Sequence, residues 1–142
     1  MKAIIQTALL AVILLLITGC ATMEASKAPG VDLTRLKTFY VQKLPADQRE
    51  IETIISDQLN AMGYRSTYGI SDKPPVEVDA IVTYQDRWMW DITMYMLQLN
   101  IQLRDPKTGM ILASGQSLRP SLQRKSPQEM AAEVLNEIFK KN

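Results

Sequence analysis

The chain has no histidine and a single cysteine. Lack of histidine removes the usual general base and the commonest metal ligand. One cysteine leaves nothing for an intrachain disulfide or a thiolate metal cluster. Charge of one sign is lacking too: 16 Lys plus Arg stand against 15 Asp plus Glu. With no long basic run, phosphate attraction makes no case for nucleic acid. No apolar stretch reaches the ~20 residues that a spanning helix needs. No phosphate-cradling glycine loop follows a strand, and neither an internal repeat nor a low-complexity segment occurs. These absences argue against an enzyme and against any cofactor or metal. What remains is a globular composition, 46% hydrophobic and 22% charged, in 142 residues, too few for two ordinary domains.

The N-terminus is the most informative segment. Lys2 supplies a positive start, and an apolar run follows from Ala3 to Thr18 with Leu9, Leu10 and 13–17 at its heart. At about 16 residues, it fits a cleaved secretory signal better than a membrane anchor. It ends in Leu16-Ile17-Thr18-Gly19-Cys20, which resembles the lipobox of bacterial lipoproteins. The resemblance implies diacylglycerol on the Cys20 thiol, cleavage before Cys20 and acylation of the new amine. Ala21 follows where an aspartate would retain such a protein at the inner membrane, so the resemblance also implies an outer-membrane, periplasm-facing location. Residues 1–19 are then signal peptide, and loss of Lys2 leaves the mature chain neutral, 15 positives against 15 negatives. Several acyl chains are needed for stable anchoring, since one holds a protein only marginally.

Residues 20–32 lack periodicity and contain Pro29-Gly30, so they read as a lipidated cysteine on a flexible tether. Residues 33–142 read as one α+β domain. Leu36 to Val41 suggests a strand, and Asp47 with Glu50 suggests a capping box before a helix with its apolar stripe at Ile51, Ile54, Ile55, Leu59 and Met62. Tyr64 to Tyr68 is a short strand. Asp79 to Met89 and Ile92 to Arg104 form a long hairpin with its turn near Trp90-Asp91. That register sets Tyr84 opposite Leu97, Val82 opposite Leu99 and Ala80 opposite Ile101, which collects apolar residues on one face. Asp105-Pro106-Lys107-Thr108-Gly109 is a turn, and Met110 to Leu118 returns as a strand whose inward face the pattern leaves open. Ser126-Pro127-Gln128-Glu129 is a second capping box, opening a helix with Ala131, Val134, Leu135 and Ile138 on its apolar stripe. The expected order is β-α-β-β-β-β-α: an antiparallel or mixed sheet of four to five strands with both helices on one face.

The domain resembles a group of proteobacterial envelope lipoproteins without an assigned activity, through 84–91 (Tyr-Gln-Asp-Arg-Trp-Met-Trp-Asp), Asp105 to Gly109, and Arg124-Lys125-Ser126-Pro127. The resemblance implies a compartment and a fold, not a chemistry.

The conspicuous feature is the hairpin end: Arg87, Trp88, Met89, Trp90, Met94, Tyr95 and Met96 hold both tryptophans of the protein. The register puts Arg87, Met89, Met94 and Met96 on the polar sheet face, and Trp88, Trp90 and Tyr95 on the helix side. Aromatics and methionines favour adaptable contact surfaces; equally, they cap cores. Arg119, Arg124 and Lys125 form a weakly basic loop. The expected function is that of a non-enzymatic module binding an unknown envelope protein, with membrane lipid as its partner through Cys20. The alternatives are a lipid- or glycan-binding lipoprotein, with a cavity beneath Tyr84, Trp88 and Tyr95, and a self-associating structural lipoprotein, for instance a homodimer.

Overall fold

A computed structural model describes Met1 and residues 20–140. Residues 2–19 of the expected leader lie outside the described residues. The chain forms β1 (Thr22–Lys27), β2 (Thr38–Gln42), α1 (Ile51–Ala61), β3 (Arg65–Gly69), β4 (Ala80–Asp91), β5 (Thr93–Arg104), β6 (Ile111–Leu118) and α2 (Pro127–Ile138), with short 3-10 turns at Leu33–Arg35 and Ser121–Gln123. Six strands make one mixed sheet in the order β1-β6-β5-β4-β2-β3. The strands from β1 to β4 pair antiparallel, while β2 runs parallel to both β4 and β3.

The expectation of an α+β mixed sheet holds, but there are six strands rather than four or five. The sixth is β1, inside the segment expected to be a flexible tether. Its pairing with β6 runs without a break from Thr22↔Leu118 to Lys27↔Ala113. Period-two alternation over Met23 and Ala25 is too weak to announce a strand by itself; the backbone ladder of β6 supplies the order.

Both helices lie on one face, and their stripes follow the apolar spacing. Ile51, Ile55 and Leu59 of α1, with Met130, Ala131, Val134, Leu135 and Ile138 of α2, meet Val82, Leu99, Ile101 and Leu103 of the central strands in one core. On β6 the buried residues are Ala113, Gly115 and Ser117, which answers the question left open by the sequence. Gly115 is small for a reason: a Cβ there would stand 2.9 Å from Ile138 Cγ1 and 3.0 Å from Val134 Cγ1. Its hydrogen lets α2 lie close to the sheet.

The hairpin register differs from the expected one by four residues. Tyr84 pairs with Ile101, not Leu97, and Val82 with Leu103, not Leu99, because the turn closes at Ile92 and one further residue of β5 is taken up by a bulge at Leu97. A four-residue slip preserves facing, since side chains alternate with period two, so the apolar face survives the error. The cap of α1 also differs. Asp47 Oδ2 accepts from Ile51 N at 2.8 Å and Oδ1 from Arg49 N at 2.7 Å. Glu50 returns no bond; it is the N-cap residue itself, with φ of 57°. At α2 the capping box is complete, with Ser126 and Glu129 exchanging bonds and proline in the first turn.

Candidate functional site

The β4–β5 hairpin continues past its neighbours. Cross-strand rows end at Thr22↔Leu118 and Gln98↔Leu118, and beyond Arg87↔Gln98 only β4 and β5 pair with each other. A β-bulge lies between Arg87 and Trp88, where Leu97 is the extra residue of β5. Such a bulge reverses facing along one strand. Met96 therefore turns inward and is 1% exposed, and Met94 shares its face. Tyr95 turns outward opposite Met89.

This corrects three placements. Met94 and Met96 are on the helix-covered side, not the polar side, and Tyr95 is on the opposite face. Trp88 and Trp90 are on the helix side as expected, through their pairing with Met96 and Met94. Trp88 packs half-buried against the core, with its Nε1 donating to Asp86 Oδ2 at 2.5 Å and the Arg49 guanidinium 4.3 Å above its ring. Tyr95 lies under the Arg124 guanidinium at 4.6 Å. Tyr84, Trp88 and Tyr95 thus do not enclose one space, which removes the cavity expected of a ligand binder.

What the tip exposes is a smaller and different set. Trp90 is 70% exposed, and Met89 and Met94 are about half exposed. Two residues that sequence reasoning passed over join them: Ile92 at 88% and Leu122 at 89% exposure. Ile92 makes the turn alone between the paired Asp91 and Thr93, with φ of 63°, a conformation that costs a β-branched residue about 1–2 kcal/mol. The signal was present in the sequence: Trp90-Asp91-Ile92-Thr93 offers no glycine or asparagine where a tight turn wants one. Leu122 sits on the 3-10 turn that Ser121 and Arg124 fasten to the tip. Ser121 Oγ bonds Asp91 Oδ2, and Arg124 donates to Thr93 Oγ1 at 2.7 Å and to Asp91 O at 3.4 Å.

The basic loop is largely engaged. Arg119 pairs with Glu133 at 2.8 Å, and Lys125 bonds the same carboxylate. Burial pushes the Glu133 pKa up, but these two cations outweigh it and hold the group below the usual range. Exposed cations nearby are Arg49, Arg87 and Arg124.

Elsewhere the polar groups serve the fold. Tyr84 donates to Asp47 Oδ2 at 2.7 Å and accepts from Leu44 N at 3.1 Å. Burial raises the Asp47 pKa, yet the Tyr84 hydroxyl and the amides of Arg49 and Ile51 lower it by more. Lys43 Nζ meets buried Glu52 at 2.6 Å, and this bond raises the lysine pKa. On the open sheet face, Gln42, Thr83, Gln85, Asn100, Gln102 and Arg104 line a shallow groove of about 410 Å³. Among the described residues, no group of three or more Cys, Asp or Glu could hold a metal ion, and no helix is long and apolar enough to cross a membrane.

With the geometry in view, comparison with known proteins adds one result. The fold is similar to that of PelC. Two crystal structures of the PelC dodecamer from Paraburkholderia phytofirmans superpose with TM-scores of 0.60, at 15% and 14% identity, covering 85% and 87% of this chain and all of theirs. At that identity the likeness is one of fold alone. TolB from Acinetobacter baumannii matches at a TM-score of 0.47 and 16% identity over 83% of this chain and 31% of its own, too loosely to carry an argument. No protein-family model matches the chain, and no curated protein matches it in sequence.

Proposed function

We propose that this protein is an acylated lipoprotein of the outer membrane, facing the periplasm, that works by contact with an envelope protein and not by turnover. The observation that carries the reading is the position of Cys20. The lipobox-like Leu16 to Cys20 is followed almost at once by β1, so an anchor at Cys20 is continuous with the sheet. The polar groups around the core support the non-catalytic part of the reading. Asp47 is committed to the α1 cap, Tyr84 to Asp47, Glu133 to an ion pair, and Glu52 through Oε1 to Lys43, though Glu52 Oε2 is buried without a hydrogen-bond partner among the described residues. The open face offers a partner a broad amide-rich surface through Gln85, Gln98, Asn100, Gln102 and Gln116.

Intact mass analysis of the native protein tests the anchor; an unmodified thiol or a retained leader refutes it. A photo-crosslinking residue at position 100 or 102 tests the surface in cells. A discrete adduct from these positions, absent from position 107 at the far end of the sheet, is the expected result, and no adduct from either overturns the proposed face.

A second reading, self-association, has one observation in its favour: PelC carries a similar fold and is a dodecamer. It predicts that the solubilised protein sediments as an oligomer. A strict monomer across micromolar concentrations removes it.

A further inference from the structure

We infer that the β4–β5 tip is a membrane-docking element: Trp90, Ile92 and Leu122 enter the headgroup layer of the bilayer in which the Cys20 acyl chains are held. The inference rests on the acylation of Cys20 proposed above. It follows from where the chain places that residue. Thr22, Leu118, Gln98 and Arg87 form one row across four strands. From this row Cys20 and the hairpin tip leave in the same direction, because β1 opposes β6, β6 opposes β5, and β5 descends in number toward its turn.

Strand geometry gives the offset. Five residues from Arg87 to Ile92 carry the tip about 16 Å beyond the row, and two residues from Thr22 carry Cys20 at most about 7 Å. The tip thus stands roughly 10 Å beyond the Cys20 backbone, while the strands between them add only about 10–15 Å of lateral spacing. Interfacial elements bury their apolar groups about 5–10 Å into the headgroup and acyl boundary. With the glyceryl linkage of Cys20 at the ester level, the tip reaches that depth, and no tether is available to lift it away, since β1 is paired from Thr22 onward.

The side chains match the environment. The most exposed apolar groups at the tip and the turn fastened to it are Trp90, Ile92 and Leu122; tryptophan prefers the headgroup level, and the aliphatic pair prefers the boundary below it. Behind them stand Arg49 and Arg87, exposed and suited to lipid phosphates. The one carboxylate at the tip, Asp91, is occupied by Ser121 and Arg124. Ile92 holds a strained left-handed conformation that leaves its side chain 88% exposed at the apex, where a lipid contact would use it.

The test uses the full acylated protein in vesicles of phosphatidylethanolamine and phosphatidylglycerol, with and without bromine on the acyl chains. Trp88→Phe leaves Trp90 as the single tryptophan. Its emission is expected to fall about twofold with brominated lipid and to resist an aqueous quencher, and the added changes Ile92→Ser and Leu122→Ser are expected to remove about half of that effect. Intact mass is read on the same sample. If Cys20 is acylated and Trp90 ignores the bromine while the aqueous quencher reaches it freely, the docking inference fails and the tip is left to a protein partner. If Cys20 is unmodified, the anchor reading fails and takes the inference with it.

Discussion

Replacing Tyr84 with phenylalanine isolates a buried polar link between the sheet and the start of α1. The hydroxyl donates to Asp47 Oδ2 at 2.7 Å and accepts from Leu44 N at 3.1 Å, and Asp47 in turn holds the first amide of α1. A hydrogen bond to a charged group contributes about 1.5–3 kcal/mol, and an amide left without its acceptor costs about 1 kcal/mol or more where burial limits water. Leu44 is only half-buried, so water recovers part of the second loss. The expected destabilisation is about 2–3 kcal/mol at pH 7, read from equilibrium urea unfolding of the detergent-solubilised protein. The pH dependence follows from the depressed Asp47 pKa. A carboxylate whose folded pKa lies below its unfolded value of about 3.9 stabilises the protein above that value and loses this contribution as pH falls through the folded one. Loss of the hydroxyl moves the folded pKa upward, toward the unfolded value. The parent protein therefore loses more stability on acidification than Tyr84→Phe, and the gap between them narrows below about pH 4. A gap that stays constant from pH 7 to pH 3, or a loss under about 0.5 kcal/mol at pH 7, refutes the linkage as drawn.

Three further substitutions probe separate parts of the structure. Gly115→Ala drives a Cβ into Ile138 and Val134 and is expected to cost about 1–3 kcal/mol in urea unfolding, with partial recovery by Ile138→Val. Ile92→Gly relieves the left-handed strain at the turn; after the entropy cost of glycine, it is expected to raise stability by about 0.5–1 kcal/mol, and a loss of stability shows that the apex is not strained. Ser126→Ala removes the hydroxyl that accepts from Glu129 N at 3.2 Å and is expected to cost about 1 kcal/mol, with amide exchange rising first in the opening turn of α2.

The sequence made the helices legible because their apolar stripes repeat over three turns and their ends carry capping and turn residues. It made the hairpin legible because two long alternating runs flank a short interruption. It did not disclose β1, since six residues with five exposed side chains carry almost no pattern, and their order comes from pairing with β6. The same distinction governs the tip. Trp88, Trp90 and Met94 were visible as an aromatic and methionine cluster, but a bulge at Leu97 turned Met94 and Met96 to the helix side and Tyr95 away from it, and a bulge is a backbone event with no fixed residue type. Met96, taken from sequence as a surface candidate, is core for that reason alone. Leu122 was invisible because its partner is the distant tip, reached through Ser121 and Arg124.

The conversion of the expected tether into an edge strand changes what an anchor at Cys20 does. A flexible tether leaves a domain free to turn and to search the space above the membrane. An anchor two residues from a paired strand limits distance, and a second contact at the tip then sets orientation. If Cys20 and the tip both face the bilayer, the strands stand close to the membrane normal, and the open amide-rich face and the two sheet edges look sideways along the surface. Lateral neighbours then meet those surfaces at one fixed height. That is the condition under which one patch on each copy can meet a second patch on the next around an axis normal to the membrane, closing a ring when the rotation permits. Edge strands are the exposed hydrogen-bonding groups in such an arrangement, and β1 carries Glu24 and Lys27 on its exposed surface. Lys27→Glu therefore separates the two readings of the edge. It weakens sedimentation as an oligomer if β1 joins neighbouring copies, and it leaves both oligomer and fold unchanged if Lys27 only keeps an edge solvated.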